Sequence, residues 1–142
     1  MKNSDKSLPN DPLTGITINE LGKKFRNRLI TCKEVTSIYF ERIKILNPHL
    51  HAYIYTDEKQ GLIWADGIDK LFSCDVDLGP LMGIPVAIKD ICSVNEMPIT
   101  NGSQIKSEDI TGPEGNLVKK LKSLGCVILG KTHTVEFALG AT

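Results

Sequence analysis

The chain has 142 residues, 41% of them hydrophobic, and its 17 basic and 17 acidic side chains leave no formal net charge at pH 7. This length and hydrophobic share suit one ordinary domain, and the balanced charge gives no nucleic-acid signal, because nucleic-acid-binding domains carry a basic surface. No apolar run approaches the ~20 residues needed to span a membrane, and residues 1–13 lack the apolar segment of a signal peptide.

The cysteines and histidines are spaced too widely to indicate a disulfide framework or a metal site. The four cysteines include no C-x-x-C pair: Cys32, Cys74, Cys92 and Cys126. Two histidines lie close together just after a predicted helix, and the third is distant: His49, His51 and His133. We therefore expect reduced thiols in a cytoplasmic protein that uses no metal and no cofactor.

Residues 1–15 are polar, contain proline and glycine, and are predicted to form a flexible N-terminal tail. Thr17 and Glu20 then form a capping box, in which the threonine hydroxyl and the glutamate carboxylate each accept a hydrogen bond from a free backbone N–H. A short helix is predicted to follow, with apolar residues on one face: Ile18, Leu21 and Phe25.

Thr31 and Glu34 repeat the capping box and predict the start of a longer helix. Its apolar residues keep helical spacing from Val35 to Leu46. Pro48 is predicted to end this helix, because proline lacks the N–H that a helix interior needs.

Residues 52–56 alternate like a strand, and Asp57 is predicted to cap a third helix. This helix carries apolar residues at helical spacing: Leu62, Ile63, Trp64, Ile68 and Leu71.

The segment 79–90, with the sequence GPLMGIPVAIKD, is predicted to contain a short buried strand from Ile84 to Ile88 that ends at Lys89. Alternation along the strand places Ala87 and Lys89 on one face. An apolar strand of this kind is usually covered on both faces, so we expect Lys89 in a largely dry site. Desolvation disfavours an ammonium ion, which allows a buried lysine to act as a base near neutral pH. The alternative is a strand-end lysine that extends to water.

Residues 91–113 contain proline and glycine and predict a long irregular loop. One more helix, ended by Gly125, is predicted from leucines at helical spacing: Leu117, Leu121 and Leu124. Residues 127–129 form a second buried strand. Helices that alternate with short apolar strands indicate an α/β layer fold.

Residues 125–132 match the phosphate-binding pattern G-x-x-x-x-G-K-S/T. In a P-loop nucleotide hydrolase a strand precedes this pattern, and the four variable positions form the turn around the phosphates. Here a predicted helix precedes the pattern, and the four variable positions are themselves an apolar strand. The context therefore argues against a P-loop.

Hydrolysis of an amide by a nucleophile needs a serine or cysteine held near a base and an oxyanion hole. Ser103 is the only serine beside a glycine, and a structural role in a turn is favoured for it. None of the four cysteines has a base near it in sequence. The residues alone indicate no convincing nucleophile.

Three segments together resemble the amidase signature family, whose members are Ser-cisSer-Lys amide hydrolases. Residues 79–90 are similar to its lysine motif, residues 124–138 (LGCVILGKTHTVEFA) to its GAVILGKTN…EFA segment, and residues 47–54 (NPHLHAYI) to its NPxLNA turn. The sequence departs from the family at positions where asparagine or alanine is usual: His51, His133 and Cys126.

The resemblance implies that residues 16–142 are the N-terminal portion of an amidase signature fold, α/β with a mixed β-sheet flanked by helices. It also implies that Lys89 is catalytic and accepts a proton from a bridging serine, which deprotonates the nucleophilic serine. In the family both serines lie in a Gly/Ser-rich region beyond the EFA segment, and this chain ends before that region. We therefore expect a truncated domain that is inactive by itself.

Three functions are compatible with the sequence. The first is a fragment of an amidase that hydrolyses the carboxamide C–N bond of a small-molecule substrate. The second is a fragment of the catalytic A subunit of glutamyl-tRNA(Gln) amidotransferase, which passes ammonia to a partner. The third is a non-catalytic remnant that binds a partner. The expected assembly is a homo-oligomer or an amidotransferase complex.

Overall fold

A computed structural model of the protein describes residues 7–105 and 111–140. Parts of the predicted tail (1–6) and of the predicted loop (106–110) lie outside the described residues. The described residues form helices and strands in the predicted order, followed by a 3-10 turn at Glu136–Ala138. The helices are α1 (Ile18–Arg26), α2 (Cys32–Leu50), α3 (Glu58–Ser73) and α4 (Asn116–Ser123), and the strands are β1 (Tyr53–Thr56), β2 (Pro85–Lys89) and β3 (Val127–Thr132).

The strands form one mixed sheet in the order β1-β3-β2, with β1 antiparallel and β2 parallel to the central strand β3. In the parallel pair, Lys89 at the end of β2 lies beside Thr132 at the end of β3. β1 approaches β3 so closely that a Cβ atom on Gly130 would collide with the carbonyl oxygen of Tyr55. The predicted α/β class with a mixed sheet flanked by helices is confirmed.

Both faces of β3 are covered, because alternate residues of this strand belong to different hydrophobic clusters. Val127 and Leu129 pack with residues of α1, α2 and α3, whereas Ile128 packs with Val118 of α4 and with the loop after β2. The prediction of a second buried strand at residues 127–129 is therefore confirmed, and this strand is covered on both faces. The larger cluster comprises Leu21, Phe25, Cys32, Val35, Phe40, Ala65, Ile68, Met82, Ile84, Val127 and Leu129.

Both predicted capping boxes are present. At the start of α1, Glu20 N donates to Thr17 Oγ1 over 3.2 Å, and Thr17 N donates to the Glu20 carboxylate over 2.6 Å. Thr31 and Glu34 exchange the same two bonds at the start of α2, over 3.1 and 2.8 Å. Each cap satisfies backbone N–H groups that have no partner within the helix, which stabilises a helix by about 1 kcal/mol.

The prediction that Pro48 ends the second helix is wrong, because α2 continues to Leu50 and Pro48 lies inside its last turn. The chain turns at His51, which adopts the left-handed conformation with φ of 49°. Asn47 stabilises this turn, since its side-chain amide donates to the carbonyl oxygen of Tyr53 and its side-chain oxygen accepts from Tyr53 N. Pro48 has no N–H to donate within the helix, and the helix ends shortly after it, at Leu50.

The predicted end of α4 is confirmed, because Gly125 follows the helix with φ of +76°. The predicted apolar face of α4 is wrong in one residue, because Val118 is buried whereas Leu117 is 64% exposed. Leu121 packs beside Val118 against the sheet, so the apolar stripe of α4 runs through these two residues.

The part of the predicted tail that the structure describes packs against α2. The Tyr39 hydroxyl donates to the Asp11 carboxylate over 2.9 Å, and the Arg42 guanidinium contacts the carbonyl oxygen of Pro9. Leu13 lies against the larger hydrophobic cluster. Among the described residues, no helix has the length and apolar character that crossing a membrane requires.

Candidate active site

Lys89 lies at the carboxyl ends of the two parallel strands, the edge of a sheet where ligands of α/β proteins commonly bind. It is the last residue of β2, and the expected alternation holds, because Ile88 is buried while Ala87 and Lys89 are exposed. The expectation of a dry site around Lys89 is wrong for the chain as described. Among the described residues β2 pairs only with β3, and Ala87 and Lys89 lie on a face of the sheet that is open to water.

A second lysine lies beneath this edge and is fully buried. Lys131 Nζ lies 2.8 Å from Asp90 Oδ1, and both side chains are 0% exposed. Lys131 Nζ also donates to the carbonyl oxygen of Pro98 over 3.1 Å. The contact with Asp90 is ionic, because no donor reaches Asp90 Oδ1 at a good hydrogen-bonding angle. Sequence reasoning considered Lys131 only as part of a phosphate-binding pattern and missed this ion pair.

Asp90 joins three segments of the chain at this position. Its backbone N donates to the Thr132 carbonyl oxygen over 3.0 Å, which extends the ladder between β2 and β3 by one residue. Its Oδ2 accepts from Thr100 N over 3.1 Å and from Thr100 Oγ1 over 2.5 Å. Its carbonyl oxygen accepts from Asn101 N over 3.1 Å. Asp90 therefore fixes the loop after β2 to the end of the sheet.

The loop at Asn101 is bonded to the 3-10 turn near the end of the described chain. Phe137 N donates to the Asn101 carbonyl oxygen over 2.7 Å. Asn101, Phe137 and Ala138 all have left-handed backbone conformations, with φ of 54°, 49° and 57°. Such values are unusual for residues with a side chain, above all for a bulky one such as phenylalanine. Strained backbone of this kind persists where surrounding contacts hold it, often at functional sites.

Ser103 has the structural role that its sequence context favours. Its Oγ donates to Glu136 Oε1 over 2.6 Å and accepts from Ile105 N over 3.1 Å. The hydroxyl thus connects the loop after β2 to the 3-10 turn. Its partner Glu136 lies on an exposed turn, and a hydrated carboxylate is a weak base for activating a hydroxyl.

The structure does not form a P-loop at residues 125–132. The variable positions belong to the buried strand β3, and Lys131 is enclosed with Asp90 and cannot reach a phosphate. The three histidines are exposed. In the part of the chain that the structure describes, no three His, Cys, Asp or Glu side chains come together as metal ligands would.

The cysteines do not form an activated nucleophile. Cys32 and Cys126 are buried, Cys92 is half-buried and Cys74 is exposed, and all four are free thiols. Burial, assisted by the nearby Asp69 carboxylate, raises the pKa of the Cys32 thiol far above its usual range. Burial also raises the pKa of Cys126. A raised thiol pKa lowers the fraction of reactive thiolate, so these two cysteines are poor nucleophiles.

A cavity in the described part of the chain lies away from Lys89, beside the N-terminal half of β3. Its volume is about 410 Å³, and its walls include Trp64, Met97, Glu114 and Ile128 but not Lys89. The chemistry of the strand ends therefore sits on an open edge of the sheet and not in an enclosed pocket of this chain.

Comparison with known proteins identifies relatives for most of the chain. A family model described as Amidase matches residues 34–142. The chain is 36% identical over 126 residues to the A subunit of glutamyl-tRNA(Gln) amidotransferase from Acidothermus cellulolyticus, covering 89% of this chain and 25% of that protein. It is 35% identical over 133 residues to the protein of the same name from Cutibacterium acnes, covering 94% and 26%.

Among solved structures, the native peptide amidase of Stenotrophomonas maltophilia superposes with a TM-score of 0.82 at 27% identity. The superposition covers 90% of this chain and 26% of the peptide amidase. The chain thus spans about a quarter of the length of the relatives it matches.

Proposed function

The chain belongs to the amidase family, and on this premise we propose that it supplies the general base of an amide-cleaving site, with Lys89 as that base. In the proposed reaction the neutral amine of Lys89 accepts a proton from a bridging serine, which takes the proton of a nucleophilic serine. The nucleophile attacks the carboxamide carbon, ammonia or an amine leaves, and water releases the acid. Both serines would come from residues outside this chain.

The observation that carries the proposal is the position of Lys89 at the carboxyl ends of β2 and β3, within a lysine motif that resembles the one used by amidases. The backbone on both sides of this position is fixed by the sheet and by Asp90, as a base that must meet its partner within hydrogen-bond distance requires. The side chain itself is exposed. Water stabilises the ammonium form of a lysine, and an ammonium ion has no lone pair with which to accept a proton. The proposal therefore requires that further residues cover Lys89 in the active protein.

The open face around Lys89 supports this requirement. The chain spans about a quarter of its relatives' length, and residues 16–142 would form one portion of a larger amidase domain. Among the residues that the structure describes, Ser103 donates to a carboxylate on an exposed turn and Cys32 has a raised thiol pKa, so neither is an activated nucleophile. We therefore expect the 142-residue chain alone to hydrolyse no amide.

The test uses the polypeptide in which these residues occur. Ammonia release from glutamine and from a panel of simple carboxamides should fall in Lys89→Ala by at least the roughly 10² to 10⁴ that a general base contributes. Lys89→Arg should be equally impaired, because arginine stays protonated and cannot accept the proton. Lys59→Ala, which removes another exposed lysine, is the matched control and should keep full activity. Substantial turnover by the arginine variant would rule out Lys89 as the base.

A second candidate function is delivery of ammonia to a partner, as one component of an amidotransferase. It is favoured by the relatives at 35 and 36% identity, which both carry the name of the A subunit of glutamyl-tRNA(Gln) amidotransferase, whereas the peptide amidase is 27% identical. An amidotransferase component should release ammonia from glutamine in preference to other amides, and more rapidly when its partner is added. A free amidase should turn over simple carboxamides without any partner. Binding of a partner with no turnover of any amide would favour the non-catalytic remnant.

A further inference from the structure

The buried pair of Asp90 and Lys131 is an unusual element in so small a chain. Two charged side chains that are 0% exposed have lost all contact with water. The desolvation of both charges can exceed the energy of their attraction, so uncharged residues of similar shape are often equally stable in such a place. Stability alone therefore does not account for the pair, and its position beneath the Lys89 edge suggests a second role.

We propose that Asp90 and Lys131 are positioning residues for Lys89, a role that rests on the function proposed above. They hold the carboxyl end of β2, the loop at Thr100 and the strained 3-10 turn in one fixed arrangement. Neither residue touches the substrate in this proposal. Both act through the backbone that carries Lys89 and through the loop that Asp90 holds.

The first step of the argument is the strand geometry. Successive side chains of an extended backbone point to opposite sides, so Lys89 projects outward while Asp90 points inward. Lys131 belongs to the central strand β3 and reaches Asp90 from the interior. The ion pair thus holds β2 at the residue next to the candidate base, and the bond from Asp90 N to Thr132 fixes the same peptide.

The second step is the link from this pair to the loop. Lys131 Nζ donates to the Pro98 carbonyl oxygen, and Asp90 Oδ2 accepts two bonds from Thr100. The next residue, Asn101, is bonded to the backbone of Asp90 and of Phe137. One buried ion pair therefore stands at the start of a continuous set of hydrogen bonds that ends at the strained 3-10 turn.

A double variant that removes both charges separates positioning from stability. Asp90→Asn/Lys131→Met conserves side-chain volume, leaves no buried charge unpaired and keeps an oxygen that accepts from Thr100. We expect the polypeptide in which these residues occur to melt at an unchanged temperature. With glutamine and simple carboxamides as probes, kcat should fall about 100-fold with little change in KM, the size expected when a reacting group is misplaced by about 1 Å.

A matched control removes another ion pair whose carboxylate is buried. Glu114 and Lys122 lie 2.5 Å apart with side-chain exposures of 5% and 33%, and neither contacts Asp90 or Thr100. Glu114→Gln/Lys122→Met should leave kcat unchanged. Wild-type kcat in Asp90→Asn/Lys131→Met at an unchanged melting temperature would overturn the positioning role. Full activity in Lys89→Ala would instead overturn the proposed function itself, so the two failures are distinct.

Two further measurements extend the test: backbone chemical shifts apply where turnover is absent, and Thr100→Val applies where the double variant does not fold. Backbone chemical shifts report the left-handed conformations of Asn101, Phe137 and Ala138, and at least the last two should be lost in the double variant but kept in the control. Retention of all three would overturn the inference without any activity assay. Thr100→Val removes the hydroxyl that donates to Asp90 and accepts from Gly102 N, and it should lower kcat several-fold or, without turnover, shift the same resonances. No change in either readout would overturn the inference.

Discussion

Lys89 and Lys131 lie on adjacent strands, yet their surroundings are opposite. Lys89 ends the edge strand β2 and is exposed, whereas Lys131 lies one register position earlier on the central strand β3 and is 0% exposed. Lys131 has a carboxylate partner and a carbonyl acceptor. The comparison shows that what covers the face of a strand decides whether a lysine is free to react or is part of the internal structure.

The largest expected effect is on stability and concerns Lys131. Lys131→Met leaves the Asp90 carboxylate buried without a cation, which should lower the free energy of unfolding by about 3–5 kcal/mol. Lys89→Met replaces an exposed side chain and should alter the free energy of unfolding by less than about 0.5 kcal/mol. Urea unfolding of both variants against wild type measures the difference. Equal destabilisation would show that the two lysines do not differ in the way described.

The sequence predicted elements with local causes better than it predicted burial. The two capping boxes and the glycine after α4 act within a few residues of themselves, so Thr17, Thr31 and Gly125 indicated the helix ends correctly. The exposure of Lys89 depends on which strands pair with β2, and no residue near Lys89 encodes that. Pro48 misled for a related reason, because Asn47 in the last turn of the helix bonds to Tyr53 beyond it and stabilises the turn.

The sequence predicted that Lys89 ends a strand, but it did not predict the buried pair of Asp90 and Lys131 beside that position. Resemblance to a family motif identified Lys89, and its catalytic role remains a prediction. The same segment contains Asp90, and the second segment contains Lys131, but their pairing joins residues far apart in sequence. Lys131 closely follows the apolar run 127–129, and a charged residue within a buried strand is the signal that points to a buried partner.

A second test concerns the loop that Asp90 holds. Gly102 has φ of +67°, and a Cβ atom there would lie 2.5 Å from the Thr134 carbonyl oxygen, so Gly102→Ala should destabilise the fold by more than about 1 kcal/mol. Gly67 lies within α3 with no atom near its missing Cβ. Gly67→Ala should therefore stabilise the helix by about 0.5–1 kcal/mol. Thermal unfolding measures both changes in stability. Opposite signs for the two glycine-to-alanine substitutions would show that the backbone is tightly packed at Gly102 and not at Gly67. A loss as large in Gly67→Ala would contradict this picture.

The smallest expected effect sharpens the contrast between buried and exposed ion pairs. Arg26 binds Asp77 with two hydrogen bonds of 2.8 Å, at side-chain exposures of 27% and 49%. The Arg26 guanidinium, with a further bond from Gly79 N, lowers the pKa of Asp77 to about 2. Because this value lies below the 3.8 of a free aspartate, the stabilisation is fully present above about pH 4 and is lost as the pH falls through about 2.

Solvent screening limits the contribution of this exposed pair to less than about 1 kcal/mol. Asp77→Asn should therefore cost less than about 1 kcal/mol at pH 7, and the cost should shrink in 1 M salt, where the screening length is about 3 Å. Asp75→Asn is the control, since Asp75 is 96% exposed and lies 3.8 Å from its arginine, and it should have no measurable effect. Urea unfolding at pH 7 and at pH 2, with and without salt, checks each of these points. Water and mobile ions screen Asp77 but cannot reach Asp90, so the two losses should differ. A salt-independent loss in Asp77→Asn comparable to that of Lys131→Met would mean that exposure does not set the strength of ion pairs in this protein.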